Sequence, residues 1–360
     1  MGGAETYLRE LGRELVRRPD APKLTVFLNE EGHDALRQED WTAGADLVPL
    51  PRLGRSGARS VTELSVLGAL ADRRGADIIH SVAMTGPLAS RARRVVTVLD
   101  TIWISHPEDT LTHKMWRVVV PRVARRADRV IAISEAGGGE IRRRLGVRSE
   151  RLDVVPLGYG TPAAGPRTAE TELRARLGLG AGPIVLNVGQ KKPHRNLERL
   201  VAAFARTRAD IPDAVLVLPG PPNPAGEALV REAAATAGVA DAVVIPGFLD
   251  PEDLEGLYVA AAAFVLPSLV EGFGLPVLEA MARGVPVACS RDSAPGEVAG
   301  DAALTFDPTS VDDIAGAIGA LLTDAALRDR LAQAGPSRAA QYTWERCAEE
   351  TLAVYHRALV

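Results

Sequence analysis

The sequence predicts an α/β protein built of two doubly wound, Rossmann-like domains. Three observations carry that prediction. The chain has 360 residues, more than one hydrophobic core usually organises. Short strand-like runs alternate with helical segments throughout, the order that builds parallel sheets from βαβ units. Most of those runs are continuously apolar, as strands covered by helices on both faces must be.

Gly2 and Gly3 come first, followed by an amphipathic helix from Glu5 to Arg17. A glycine turn and helix of this kind normally follow a first strand, and here none precedes them. The expectation is an N-terminal sheet lacking its first strand. A truncated chain is the favoured reading, because a strand edge and a helix face would otherwise stand uncovered. The next strands are read at Leu24–Asn29, Asp46–Leu50, Asp77–Ser81, Arg94–Leu99, Arg129–Ile133 and Leu152–Pro156. Residues 158–170 are rich in Gly, Pro and small polar residues and have no periodicity, which marks a linker. A second strand series follows at Ile184–Val188, Val215–Leu218, Val243–Ile245, Ala262–Leu266, Val285–Cys289 and Ala303–Phe306. The last segment, Thr343 to Ala358, reads as an amphipathic helix. The domains are therefore placed at 1–160 and 161–340, with 341–360 as a closing helix.

Composition narrows the class. With 46% apolar and 24% charged residues and a net charge of −4, the chain has the make-up of a globular protein. Residues 1–160 carry 25 Lys and Arg against 21 Asp and Glu, whereas residues 161–360 carry 17 against 25. The basic half is compatible with an anionic partner or a weak peripheral membrane contact. Nucleic-acid binding would need a denser basic face with stacking aromatics. The longest apolar run, Leu257 to Val270, contains Pro267 and falls short of the roughly 20 residues a bilayer needs. Cys289 and Cys347 have neither metal nor redox spacing, so both are read as packing residues.

Two motifs carry chemistry. In residues 266–290, Glu271 and Glu279 flank a glycine loop, Gly272-Phe273-Gly274, and Pro276 opens a helix. A helix start presents free amides and the positive end of a dipole, so anions and hydroxyls can settle there. Glu271 lies in the loop, and Glu279 lies one turn into the helix, where a carboxylate can accept from both ribose hydroxyls. Two glutamates eight apart are by themselves more often a solvated loop residue and a local cap. The glycine loop and the two flanking strands turn the balance. The second motif is the cationic turn from Gly189 through Gln190, Lys191, Lys192 and Arg195 after the strand at 184–188. Cations at the carboxyl end of a strand are placed for anionic ligands, and the guanidinium of Arg195 suits a diphosphate best. Lys191 and Lys192 are further candidates.

These segments, with residues 95–103, 126–135, 154–158, 296–308 and 342–355 in the same order, resemble the retaining glycosyltransferases of family 4. Those enzymes have the GT-B fold, two Rossmann-like domains facing across a cleft. The likeness is greatest to the bacterial mannosyltransferase-like branch. It implies transfer of a sugar from a GDP- or UDP-sugar to the hydroxyl of a saccharide, lipid-linked glycan or small natural product, with no metal or other cofactor. It also implies a cytoplasmic protein, with peripheral contact at the inner face of the membrane.

The resemblance assigns roles to residues. Glu279 binds the nucleotide ribose. Glu271 contacts the donor sugar, and the amides of Gly272, Phe273, Gly274 and Leu275 hold sugar and phosphates. Arg195 takes the place of the usual diphosphate lysine, beside Gly189, Gln190 and Lys192. Gly247 and Phe248 pack near the nucleobase, and Gly2 and Gly3 face the diphosphate from the N-terminal domain. Asp100 is the acceptor-side polar group. Two positions depart from the family pattern. Leu99 stands where a histidine usually precedes the aspartate, and Gln190 stands where many relatives carry arginine. His106 and His113 are the histidines that could substitute. Two rivals share the fold: a nucleotide-sugar epimerase, and a catalytically decayed nucleotide-sugar-binding protein.

Overall fold

The computed structural model describes residues 3–50, 56–108, 110–160 and 166–360. The chain divides into two compact units, one of Met1–Gly158 with Tyr342–Val360 and one of Tyr159–Gln341. Residues 161–165 of the linker lie outside the described residues.

All twelve segments read as strands form strands. In the first unit these are β1 (Leu24–Leu28), β2 (Ala45–Pro49), β3 (Ile78–Ser81), β4 (Arg93–Val98), β5 (Arg129–Ala132) and β6 (Leu152–Val154). They do not make one sheet. Among the described residues β1 pairs only with β2, and β3 to β6 form a separate parallel sheet in sequence order. The expected single sheet is thus split between β1 and β3, and Phe27 of β1 packs on Ala71, Ile79 and Ala92 across that place. The larger core joins Val96, Val98 and Val130 of the sheet to Val123, Ile141 and Leu145 of its helices.

The chain's last helix, Trp344–Leu359, belongs to this first unit. Thr343 caps it by accepting from the Arg346 amide. Its inner face meets β3, β4 and the first helix. The Trp344 ring lies 6.3 Å from that of Tyr7. His80 hydrogen-bonds through Nδ1 to the Tyr355 hydroxyl at 2.7 Å and through Nε2 to Thr97 Oγ1 at 2.7 Å. Tyr7 reaches the same threonine at 3.2 Å. Burial pushes the His80 pKa down to about 3, so the ring is neutral, with one nitrogen donating and the other accepting.

The second unit holds β7 (Ile184–Leu186), β8 (Val215–Val217), β9 (Val243–Val244), β10 (Ala261–Leu266), β11 (Val287–Ser290) and β12 (Leu304–Phe306). All pair in parallel, in the order β9-β8-β7-β10-β11-β12. This is the 3-2-1-4-5-6 order of dinucleotide-binding folds, and its switch point lies between β7 and β10. The strands are continuously apolar because helices cover both faces. Phe204, Leu200, Ile314 and Ile318 pack fully buried against Val185, Leu216 and Val265. Each such side chain contributes about 1.5–3 kcal/mol by leaving water.

Candidate functional site

The two sequence motifs emerge at the carboxyl ends of β7 and β10, on either side of the switch point. An open sheet leaves a crevice at this place because its crossovers depart in opposite directions. Two asparagines lace the loops together. Asn187 donates from Nδ2 to the Val265 carbonyl at 2.7 Å. Asn196 donates to the carbonyls of Pro267 at 3.0 Å and Pro308 at 2.7 Å. Asn196 sits at φ +59° as the cap of the helix Leu197–Asp210, a left-handed conformation that asparagine tolerates better than most residues. The Leu269 amide donates to the His194 carbonyl at 2.8 Å. The lacing continues outward: the Gly189 amide donates to the Pro219 carbonyl and the Gly220 amide to that of Gly247. The loops after β10, β7, β8 and β9 thereby form one connected rim.

Arg195 and Glu271 meet across this rim. The Arg195 Nη2 lies 3.2 Å from Glu271 Oε1, with the side chains 16% and 11% exposed. Arg195 Nη1 is buried and has no hydrogen-bond partner among the described residues. Gly189, at φ +143°, lies flat against this guanidinium, and a Cβ there would stand 3.4 Å from Cζ. Gln190 and Lys192 sit in the same turn, half-buried. Lys191 does not share that setting. It is 2% exposed, packed beside Asn223 and Gly226 at the start of the helix Pro224–Thr236. Burial pulls its pKa down to about 8, against an opposing pull from Glu227. It is a buried lysine rather than part of a solvated basic turn.

Gly274 caps the helix Leu275–Ala282 at φ +109°. Pro295 closes on it, so a Cβ would come within 3.1 Å of the proline Cα. Pro276 has no N–H, so the amides of Gly274 and Leu275 are the donors this turn can present. The Phe273 ring is buried, which leaves that residue only its backbone for a ligand. Glu279 accepts from the Tyr258 hydroxyl through Oε2 at 2.8 Å. Phe248 stands 70% exposed after β9, and Gly247 before it turns at φ +80°.

Some expected site residues lie in the other unit. Asp100 follows β4 and accepts from the Ile102 amide at 3.0 Å. Gly3 opens the first helix, and Gly2 lies outside the described residues. His113 is occupied locally: its Nδ1 accepts from the Glu108 amide, and its ring stacks on Trp116. His106 approaches Ser105 Oγ at 3.2 Å. Sequence reasoning missed Tyr258, Arg283 and the two lacing asparagines. For Asn196 the signal was a residue tolerant of positive φ just before a helical pattern; for Tyr258 there was none.

The family model described as Glycosyltransferase Family 4 matches residues 1–161, and that described as Glycosyl transferases group 1 matches residues 169–338. The chain is 29% identical over 404 aligned residues to an MMP alpha-(1→4)-mannosyltransferase of Mycolicibacterium hassiacum, covering 99% of this chain and 95% of that one. It is 29% identical over 344 residues to a GDP-mannose-dependent alpha-(1-6)-phosphatidylinositol monomannoside mannosyltransferase of Mycolicibacterium smegmatis, covering 90% and 86%. Among solved structures, sucrose-phosphate synthase from Thermosynechococcus elongatus aligns with a TM-score of 0.76 at 23% identity, over 99% of this chain and 93% of that one. Anabaena HepE in complex with UDP and glucose aligns with a TM-score of 0.75 at 20% identity, over 99% and 96%.

Proposed function

The chain belongs to the family 4 glycosyltransferases of GT-B fold, and from that membership we propose that it transfers mannose from GDP-mannose to an acceptor hydroxyl, with retention and without a metal. The observation that carries this reading is the pairing of Arg195 with Glu271 at the switch point, in the loop before the helix that bears Glu279. Mannose and GDP are favoured because two of the relatives aligned over most of the chain are mannosyltransferases, one of them named for GDP-mannose, although a third is a D-inositol 3-phosphate glycosyltransferase of Acidothermus cellulolyticus.

The reaction needs a countercharge for the departing diphosphate. Arg195 supplies it, and its buried Nη1, without a partner among the described residues, is a donor already desolvated, the kind of preorganised group that stabilises developing charge. The amides of Gly274 and Leu275 add to it. Glu271 accepts from donor-sugar hydroxyls and Glu279 from the ribose, while Phe248 offers its exposed ring to the base. The C1–O bond to phosphate breaks as the acceptor oxygen attacks C1 from the same face. The acceptor proton passes to the departing phosphate oxygen, so no enzymic nucleophile is required. Asp100 serves the acceptor side.

The acceptor is a saccharide, a lipid-linked glycan or a small natural product, met at the cytoplasmic face of the membrane. Among the described residues no helix is long and apolar enough to cross a membrane. What supports peripheral contact is the helix Leu111–Arg126, on which Leu111, Lys114, Val118, Arg122 and Arg125 form one exposed stripe.

GDP-mannose and UDP-glucose incubated with the protein, with and without EDTA, test the reading. Slow GDP release that survives EDTA supports it. Tight nucleotide binding with no turnover on any acceptor would favour the decayed-site alternative, to which Leu99 and Gln190 lend some weight.

A further inference from the structure

Glu279 is held from behind by residues that the donor would not touch. Tyr258 lies on the helix Pro251–Ala260, and its side chain is 1% exposed. Its hydroxyl donates to Glu279 Oε2 at 2.8 Å. Arg283, one turn beyond Glu279, spreads its guanidinium 4.8 Å over the Tyr258 ring. The same guanidinium donates to the Glu279 carbonyl at 2.7 Å and, from Nε, to Glu255 Oε2 at 2.8 Å. Glu255 is itself buried.

Two consequences follow from donor and acceptor capacity. Burial, and then the neighbouring Glu279 charge, hold the Tyr258 phenol well above its ordinary pKa, so it remains a donor. An ionised carboxylate only accepts. Oε2 therefore accepts from Tyr258, while among the described residues no hydrogen bond reaches Oε1. The second consequence is electrostatic. Arg283 reaches the Glu279 backbone carbonyl, and Glu255 pairs with its charge. Without Glu255, Arg283 would be drawn to Glu279 and would cancel the charge a ligand needs.

We propose that Tyr258 is a positioning residue for nucleotide recognition: it locks Glu279 so that Oε1 faces the ribose and accepts from its hydroxyls, while the Glu255–Arg283 pair holds Tyr258 and keeps Arg283 off the carboxylate. This rests on the reading of Glu279 as the ribose contact. A glutamate left unlocked would lose side-chain freedom on every binding event, a cost the phenol removes in advance.

The test compares GDP with 2′,3′-dideoxy-GDP by calorimetry on the wild type, Tyr258→Phe, Arg283→Lys and Glu279→Gln. Tyr258→Phe is expected to weaken GDP about tenfold, the value of one hydrogen bond to a charged group. It should raise the donor KM by a similar factor, with kcat changed less than about twofold. The penalty should shrink below about twofold with the dideoxy nucleotide, because the contact it serves is already gone. Equal losses for both nucleotides would mean Tyr258 merely supports the fold, and would overturn the proposal. If Tyr258→Phe does not fold, Arg283→Lys carries the same comparison with the same two outcomes. Glu279→Gln tests the underlying reading separately. Should it weaken GDP selectively while Tyr258→Phe does not, positioning by Tyr258 fails and the ribose contact stands. Should it affect both nucleotides alike, the ribose contact fails first.

Discussion

Arg195 and Glu271 form an ion pair at 3.2 Å between the loops that follow β7 and β10. Each neutralises the other. On the proposed function, a diphosphate would take over Arg195 and release Glu271 to the sugar. Glu271→Ala should therefore lower kcat by about 100-fold, the scale of a lost transition-state contact, while donor affinity changes only a few-fold. It should also cost about 2 kcal/mol of stability, because Arg195 is left poorly exposed and without its counterion. Steady-state kinetics and denaturant unfolding check both parts; unchanged turnover would remove Glu271 from the site.

Glu279→Ala is expected to act on binding rather than on turnover. Loss of the ribose contact should reduce the thermal stabilisation that saturating GDP gives, equivalent to about tenfold or more in affinity. A melting-temperature series over GDP concentration reads this directly.

Phe248 is the most exposed aromatic near the rim. If the nucleobase rests on it, Phe248→Ala should weaken GDP by about 1 kcal/mol, the usual worth of an aromatic pair, without changing the unliganded melting temperature. Equal affinities in the two proteins would show that the ring points elsewhere.

The pH dependence of stability should carry the mark of His80. Its pKa falls from 6.5 to about 3 on folding through burial, so the unfolded chain takes up a proton that the folded one refuses. Its contribution is present above pH 6.5 and is lost as the pH falls from there towards 3. Between pH 6.5 and 5 the loss should reach about 2 kcal/mol. The His80→Gln variant, measured by urea unfolding at several pH values, should show a correspondingly flatter profile over that interval.

Vesicle flotation tests the exposed stripe of the helix Leu111–Arg126. Binding to vesicles rich in anionic lipid, weakened by salt, should drop when Lys114, Arg122 and Arg125 are changed to Glu, by about 1 kcal/mol for each cation removed from the surface. Persistent binding by the triple variant would put the contact on another face.

Much of this architecture is legible in the sequence because its signals are local. Continuous apolar runs mark the strands. Glycine-Phe-glycine before Pro276 marks a backbone turn at a helix start, which places Glu271 and Glu279 on either side of it. What escapes is whatever depends on distant partners. Tyr258 precedes Glu279 by 21 residues and reads as an ordinary apolar-face residue. Lys191 and Lys192 are indistinguishable as neighbours in a basic turn, yet only the fold decides that one is buried against the helix Pro224–Thr236. The split of the sheet was not visible, nor was the packing of Phe27 on Ala71, Ile79 and Ala92 across it.

The helix Trp344–Leu359 makes the first unit depend on chain synthesised after the second unit. Tyr7, Thr97 and His80 are made before the second unit, whereas their partners Trp344 and Tyr355 come after it. Domains commonly fold as they leave the ribosome, the N-terminal one first. Here the nascent first unit must wait with polar groups uncovered while the second unit, contiguous from Tyr159 to Gln341, can finish. Synthesis order and folding order are thus reversed, and any ribosome stalled after residue 341 would hold a completed second unit and an unfinished first one.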